Sequence, residues 1–130
     1  MTTTFDSKFD AKSDEMVLRG VLDRWKRAVD AHEPRHVAAA FTADAIFQGL
    51  HPYGVGRKAV AEYYDSQPLG LSADYRILET RRLADDLVLG YLNVDFSFTD
   101  TPPLQVYLSV LVKQSIEGDL ISHYQVSSLS

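Results

Sequence analysis

The sequence predicts an α+β domain in which helices come first and a curved antiparallel sheet follows. Two observations carry this. Between Ser13 and Asp65 apolar residues recur largely at helical spacing, whereas beyond Pro68 they alternate with period two in long segments separated by turn signals. The short connections between those segments make neighbouring strands antiparallel, and helices followed by a meander are the α+β order. At 130 residues the chain fits one domain. Residues 1–12, polar except for Phe5 and Phe9, are expected to form a flexible N-terminal arm, and residues 13–130 the domain itself.

Ser13 offers a capping hydroxyl, and Asp14 and Glu15 put negative charge in the first turn, so a long helix is expected from Ser13 to about Ala31. Val17, Val21, Trp25 and Ala28 form its apolar stripe, widened by Leu18, Leu22 and Val29, which turns Trp25 inward. Pro34 interrupts the chain and suits the start of a short second helix, Arg35–Phe41. A short strand, Ala45–Gln48, a turn-rich loop, Gly49–Gly56, and a third helix, Arg57–Asp65, complete this half. The strands beyond Pro68 are expected at Tyr75–Leu83, Leu87–Thr99, Leu104–Ile116 and Leu120–Ser127.

On the second of those strands Val88, Leu92, Val94, Phe96 and Phe98 share one face, while Leu87, Leu89, Tyr91, Asn93, Asp95 and Ser97 share the other. Three helices cover one side of such a sheet. The other side is still partly apolar, so a homodimer through the sheet is expected, with a monomer exposing that face as the alternative.

Composition narrows the function. Thirteen Lys and Arg against eighteen Asp and Glu give a net charge of −5, which disfavours nucleic acid and anionic membranes as partners. The absence of cysteine excludes disulfides and thiolate chemistry. No apolar run approaches bilayer length, and Met1–Lys12 lacks the pattern of a signal peptide, so a soluble cytoplasmic protein is expected.

Two motif matches fail on their mechanics. His32-Glu33-Pro34-Arg35-His36 has zinc-protease spacing, but Pro34 interrupts the helical turn that would converge the two imidazoles, so no metal site is assigned. Gly54-Val55-Gly56-Arg57-Lys58-Ala59 resembles a dinucleotide fingerprint without the parallel βαβ unit that gives it meaning, and no cofactor is assigned either.

Phe47, Tyr53, Tyr63, Tyr64, Tyr91, Tyr107 and Tyr124, with Trp25, make a large aromatic complement that reads either as a core venting hydroxyls to its rim or as the wall of a ligand pocket. Asn93, Asp95, Tyr107, Ser109, His123 and Gln125 fall at odd positions on adjacent strands, and this polar face is expected to look inward onto a hollow capped by the Trp25 helix. There Asp95, drawn away from water, would need a partner, with His123 the candidate and Arg76, Arg81 and Arg82 its competitors. A carboxylate-held imidazole could move a proton. The alternative leaves Asp95 solvated at a strand end and His123 as a satisfied core residue.

The order of elements, the Trp25 helix, Phe41-Thr42-Ala43-Asp44-Ala45-Ile46-Phe47, Gly54-Val55-Gly56-Arg57-Lys58-Ala59-Val60 and Ile121-Ser122-His123-Tyr124-Gln125-Val126-Ser127 resemble the nuclear transport factor 2-like superfamily. Within it they resemble the SnoaL-like and SgcJ/EcaC-type bacterial proteins. The resemblance implies a cystatin-like cone roll: a sheet wrapped around the long helix, open at one end to a cavity, usually in a dimer. Ketosteroid isomerases of that superfamily carry a general-base aspartate just after the first strand, where this chain has Gln48 and Gly49.

Two functions follow as expectations. One is cofactor-independent acid/base chemistry, cyclase- or isomerase-like, on an apolar carbonyl-bearing molecule of bacterial polyketide-type metabolism. Asp95 or His123 would take the proton, Tyr107 and Tyr53 would donate hydrogen bonds, and Trp25, Phe47 and Tyr63 would line the cavity, with Tyr91 and Gln125 as further ligand contacts. The other is a non-catalytic homodimeric module that binds a hydrophobic ligand or associates with a partner.

Overall fold

The computed structural model describes residues 3–128, with side chains described from Lys12 onward. Helix α1 spans Thr3–Asp30, α2 Pro34–Ala38 and α3 Arg57–Asp65; the strands are β1 Phe41–Gln48, β2 Gly54–Val55, β3 Ser72–Ala84, β4 Leu87–Ser97, β5 Leu104–Ser115 and β6 Gly118–Ser128. The α+β order is as expected, and α3 has the expected bounds.

Four details differ from expectation. α1 begins upstream of Ser13, because extending an existing helix needs no new nucleus. Residues 3–12, expected as an arm, therefore continue α1, and the docking expected of the Phe5 and Phe9 rings lies outside the described residues. α2 stops at Ala38, and Phe41 opens β1 instead of ending a helix. Gly54 and Val55 form a strand that pairs antiparallel with β1 at Phe47 and Ile46. The sheet is mixed: in the order β2-β1-β6-β5-β4-β3, β1 runs parallel to β6.

The long helix lies on one face of this sheet, against β3, β4 and β6. Leu18, Val21, Leu22, Trp25, Ala28 and Val29 are all buried, and they meet Val88, Leu92 and Val94 of β4 and Val106, Leu108, Val110 and Val112 of β5. Gly90 permits the approach, since a Cβ there would stand 2.9 Å from the Leu18 methyls. Gly56 has φ +90° where the chain turns from β2 into α3, a conformation that L side chains rarely adopt.

The inner face is thus the uniformly apolar one. The polar face, with Asn93, Asp95, Tyr107, Ser109, His123 and Gln125, looks away from α1 and corrects the expectation of an inward polar hollow. The reason is energetic: covering α1 requires a continuous apolar surface, and only the Val/Leu parity of β4 and β5 supplies one. On β6 an irregularity between the pairs Leu111↔His123 and Val112↔Ile121 lets both Leu120 and Ile121 be buried before alternation resumes at Tyr124.

Polar ties fix α1 along its length. Asp14, only 3% exposed, takes a forked contact from Arg82, with Nε at 3.0 Å and Nη2 at 2.8 Å. Arg82 also donates to Gln114 Oε1 and Asp85 O. At the other end Lys26 Nζ donates to Asp30, Asp74 and the Ala73 carbonyl, while Ala73 N–H donates to Asp30. Replacing Arg82 by Met strands the Asp14 carboxylate. Because the arginine is itself about one third exposed, the expected loss is roughly 2 kcal/mol, below the range for a fully buried pair. Urea midpoints measure it, and Asp14→Leu added to Arg82→Met is expected to recover much of the loss.

Candidate functional site

An enclosed pocket lies on the inner face, at the end of the sheet away from the β3–β4 turn. It is walled by Tyr63 and Tyr64 of α3, Phe96 of β4, Leu104 of β5, and Tyr124 and Val126 of β6, with Leu50, Gln67, Leu71 and Phe98 from the adjoining loops. Its free volume is about 40 Å³, room for about one water molecule. Every one of these side chains is apolar, phenolic or amide.

Aromatic packing builds the wall. Phe47 stacks on Tyr124 at 4.6 Å and meets Tyr63 edge-on at 4.8 Å, while Trp25 lies 6.0 Å from Tyr124 and 6.3 Å from Phe96. Behind it runs a buried hydrogen-bonded chain. Trp25 Nε1–H donates to Tyr64 Oη at 3.2 Å, and Tyr64 Oη and Tyr124 Oη share a hydrogen bond of 3.2 Å. Every buried side-chain N and O among the described residues has a partner. The indole and two phenols bring three protons to two hydrogen bonds, so whichever phenol donates, one phenolic proton has no acceptor among the described residues.

Burial pushes the Tyr64 and Tyr124 phenols well above their ordinary range; the shared hydrogen bond acts in opposite senses on the two. Tyr63 is also raised by burial, and a hydrogen bond with the Leu50 backbone pulls it partway back. At neutral pH the pocket therefore presents neutral hydroxyl donors.

Of the expected site residues, the structure brings Tyr63 to this pocket, with Trp25 and Phe47 buried directly behind it. The others lie elsewhere. Tyr53 is 66% exposed in the loop before β2. Tyr91, Tyr107, Gln125, Asp95 and His123 stand on the outer face, where Tyr91 stacks on Tyr107 with centroids 5.5 Å apart.

Asp95 and His123 do not form a pair. Asp95 is exposed and sits opposite Gln105 and Asp74, whereas His123 sits opposite Leu111 and faces Gln125 Oε1 at 3.3 Å. Gln105 and Leu111 are six residues apart on β5, which puts about 20 Å of strand between the two side chains. Of the competing arginines, Arg76 donates to Asn93, Arg81 to Glu79 and Arg82 to Asp14. Tyr64 and Tyr124, counted in the aromatic complement but not among the expected ligand contacts, line the pocket, as do Phe96 and Phe98, which sequence reasoning left out; Phe96, Phe98 and Tyr124 share the even parity of the inner face, and that was the available signal.

His32, at φ 52°, precedes α2, and His36 Nδ1 lies 3.0 Å from Glu33 Oε1, so the two imidazoles do not share a helix turn.

No protein-family model and no curated protein matches the sequence. Solved structures do. A ketosteroid isomerase-like protein from Erwinia carotovora atroseptica matches with TM-score 0.75 and 21% identity, over 88% of this chain and 95% of that one. An NTF2-like protein with a cystatin-like fold from Novosphingobium aromaticivorans matches with TM-score 0.74 and 10% identity, over 100% and 91%. A candidate calcium/calmodulin-dependent protein kinase type II association domain from Thiobacillus denitrificans matches with TM-score 0.71 and 18% identity, over 85% and 93%. This chain has the NTF2-like, cystatin-type fold. At these identities the likeness is one of fold, and an NTF2-like fold carries unrelated functions.

The phenols of this domain set its alkaline limit. Tyr75 is pushed up to about 12, first by burial and then by its hydrogen bond to the Asp23 carboxylate. With Tyr63, Tyr64 and Tyr124 also raised, the folded chain holds protons that the unfolded chain releases near pH 10. Their stabilisation is full below about pH 10 and is lost as pH rises from there through the folded values. Urea midpoints are expected to be level at mildly alkaline pH and to fall above pH 10, less steeply in Tyr75→Phe. Phenolate absorbance in which all seven tyrosines of the folded protein ionise together near pH 10 contradicts this.

Proposed function

We propose that the protein binds a small, largely apolar molecule that presents a hydrogen-bond acceptor, such as a ketone, to the Tyr64–Tyr124 phenols. The observation that carries this reading is the phenolic proton left without an acceptor beside an aromatic pocket. Among the residues lining that pocket there is no carboxylate and no imidazole, so its chemistry is that of donors and not of a general base. Binding is therefore favoured over proton abstraction by Asp95 or His123, which lie on the outer face.

Ligand entry requires Leu50 and Gln67 at the rim to move, since about 40 Å³ holds no organic molecule. Flat carbonyl compounds of bacterial polyketide-type metabolism, the setting suggested by the SnoaL-like and SgcJ/EcaC-type resemblance, are the ligand class that suits such a wall.

The test pairs a ketone with its hydrocarbon. Isothermal titration with 1-tetralone is expected to show binding that Tyr64→Phe or Tyr124→Phe weakens by about tenfold, the equivalent of one hydrogen bond. Binding of tetralin is expected to change little. Equal losses for both ligands in both variants contradict the reading.

We also propose that the outer face is covered by a second copy of the chain. Leu87, Leu89, Leu111, Tyr107, Tyr91 and Ile46 lie there, and the last two are 38% and 44% exposed. Apolar side chains around the Tyr91–Tyr107 stack and the buried Asn93 amide give this face the composition of an interface core. Sedimentation at micromolar concentration is expected to show a dimer for the native chain and a monomer for Tyr91→Lys. A native monomer removes the proposal.

A further inference from the structure

The cations of this acidic chain divide into two groups. Arg19, Lys26, Lys58, Arg81 and Arg82 each have a carboxylate within 4.0 Å. Arg24, Arg27, Arg35 and Arg57, with Lys12, Arg76 and Lys113 elsewhere, have none that close among the described residues, and the first four are exposed around α2. One groove, of about 630 Å³, is lined by Arg35, Arg57 and Lys58 over a floor that includes Ala38, Ala61 and Leu120. The adjoining groove, of about 310 Å³, is lined by Arg24 and Arg27 over Ala28 and Ala40, and Ala39 belongs to both.

The partners these arginines do have leave their charge intact. Arg57 Nε donates to the Phe41 carbonyl at 2.8 Å, and Arg24 Nη2 to the Asp119 carbonyl at 2.6 Å. The carboxylates lining the two grooves are Glu33, which accepts from or pairs with His36 at 3.0 Å, and Glu117; Lys58 lies 3.8 Å from Glu62. Five cations thus face two carboxylates. Across α2 a third groove, which Arg35 and His36 also line, carries Glu33, Glu62 and Asp65, and this excess of carboxylates bounds the cationic strip.

Guanidinium forks match carboxylates two bonds at a time. The two grooves are open and contiguous, with a shallow alanine floor, so they form a strip and not the enclosed cleft that a small ligand needs. The overall charge of −5 opposes an anion at long range, but salt screens it beyond about 8 Å and leaves the local patch to decide. We propose that this strip docks an acidic peptide segment of another protein. Its Asp or Glu side chains pair with Arg24 and Arg27 in one groove and with Arg35 and Arg57 in the other, and its small apolar side chains rest on the alanines.

Fluorescence anisotropy with a labelled peptide of alternating Glu and Ala tests this on the full chain. Saturable binding is expected, weaker at high salt, and reduced about tenfold by either Arg27→Ser or Arg35→Ser, whose side chains make no hydrogen bond or ion pair among the described residues. Arg81→Ser, an equal change of charge on β3, is expected to leave it unchanged. Circular dichroism confirms that each variant is folded. Equal binding by native chain and both groove variants overturns the proposal. So does displacement of the peptide by pyrophosphate or by single-stranded oligothymidine at lower concentration than by unlabelled peptide, since either would assign the strip to a phosphate ligand.

Discussion

Buried polar groups must find partners, and in this molecule an indole N–H and two phenol oxygens find one another, with one phenolic proton to spare. Trp25 comes from α1, Tyr64 from α3 and Tyr124 from β6, so a single chain of two hydrogen bonds ties the long helix, the short helix and the sheet at one point. The indole and the two phenols could not be replaced by aliphatic side chains of equal bulk without losing that tie. Phe47 stacks on the last phenol, Phe41 packs against both, and the wall of the pocket is the surface of this cluster. Stability and the candidate site therefore rest on the same residues, and the odd proton is what distinguishes a site from mere core.

Much of the fold was legible because it is local. Period two beyond Pro68, the stripe on α1 and the glycine-led entry to α3 are written in consecutive residues, and they correspond to β3–β6, the buried face of α1 and the bounds Arg57–Asp65. The parallel pairing of β1 with β6 has no such signature, since it joins segments from opposite ends of the chain. The start of α1 was misplaced for the opposite reason: a good local cap signal at Ser13 was overridden by propagation, and Asp14 serves as a buried ion-pair partner instead.

The site was the less legible part. Polar residues at odd positions of β4–β6 looked like a pocket lining because both faces of these strands carry apolar side chains, and parity alone does not say which face a helix covers. The uniform run of Val and Leu on β5 could have decided it. Tyr64 and Tyr124 were visible as aromatics but not as neighbours, because the contact between α3 and β6 joins segments sixty residues apart and has no local signature. The misplaced pair, Asp95 and His123, instead lies on the face that a partner would cover.

Three surfaces of different chemistry result: an aromatic pocket with neutral donors, a mixed apolar face with a buried amide, and a cationic strip beside α2. None of them needs the others to form, because each is built on a separate part of the rigid sheet and its helices. A likeness of fold to an isomerase-like protein and to an association domain is equally compatible with all three, and the site residues must decide.

A crystal structure of the protein with 1-tetralone bound tests the central claim most directly. The account predicts the ring between Tyr63, Phe96 and Val126, Leu50 displaced from the rim, and the ketone oxygen within hydrogen-bond distance of Tyr64 Oη or Tyr124 Oη. A ketone lodged on the outer face, or one inside the pocket with its oxygen turned away from both phenols, contradicts it.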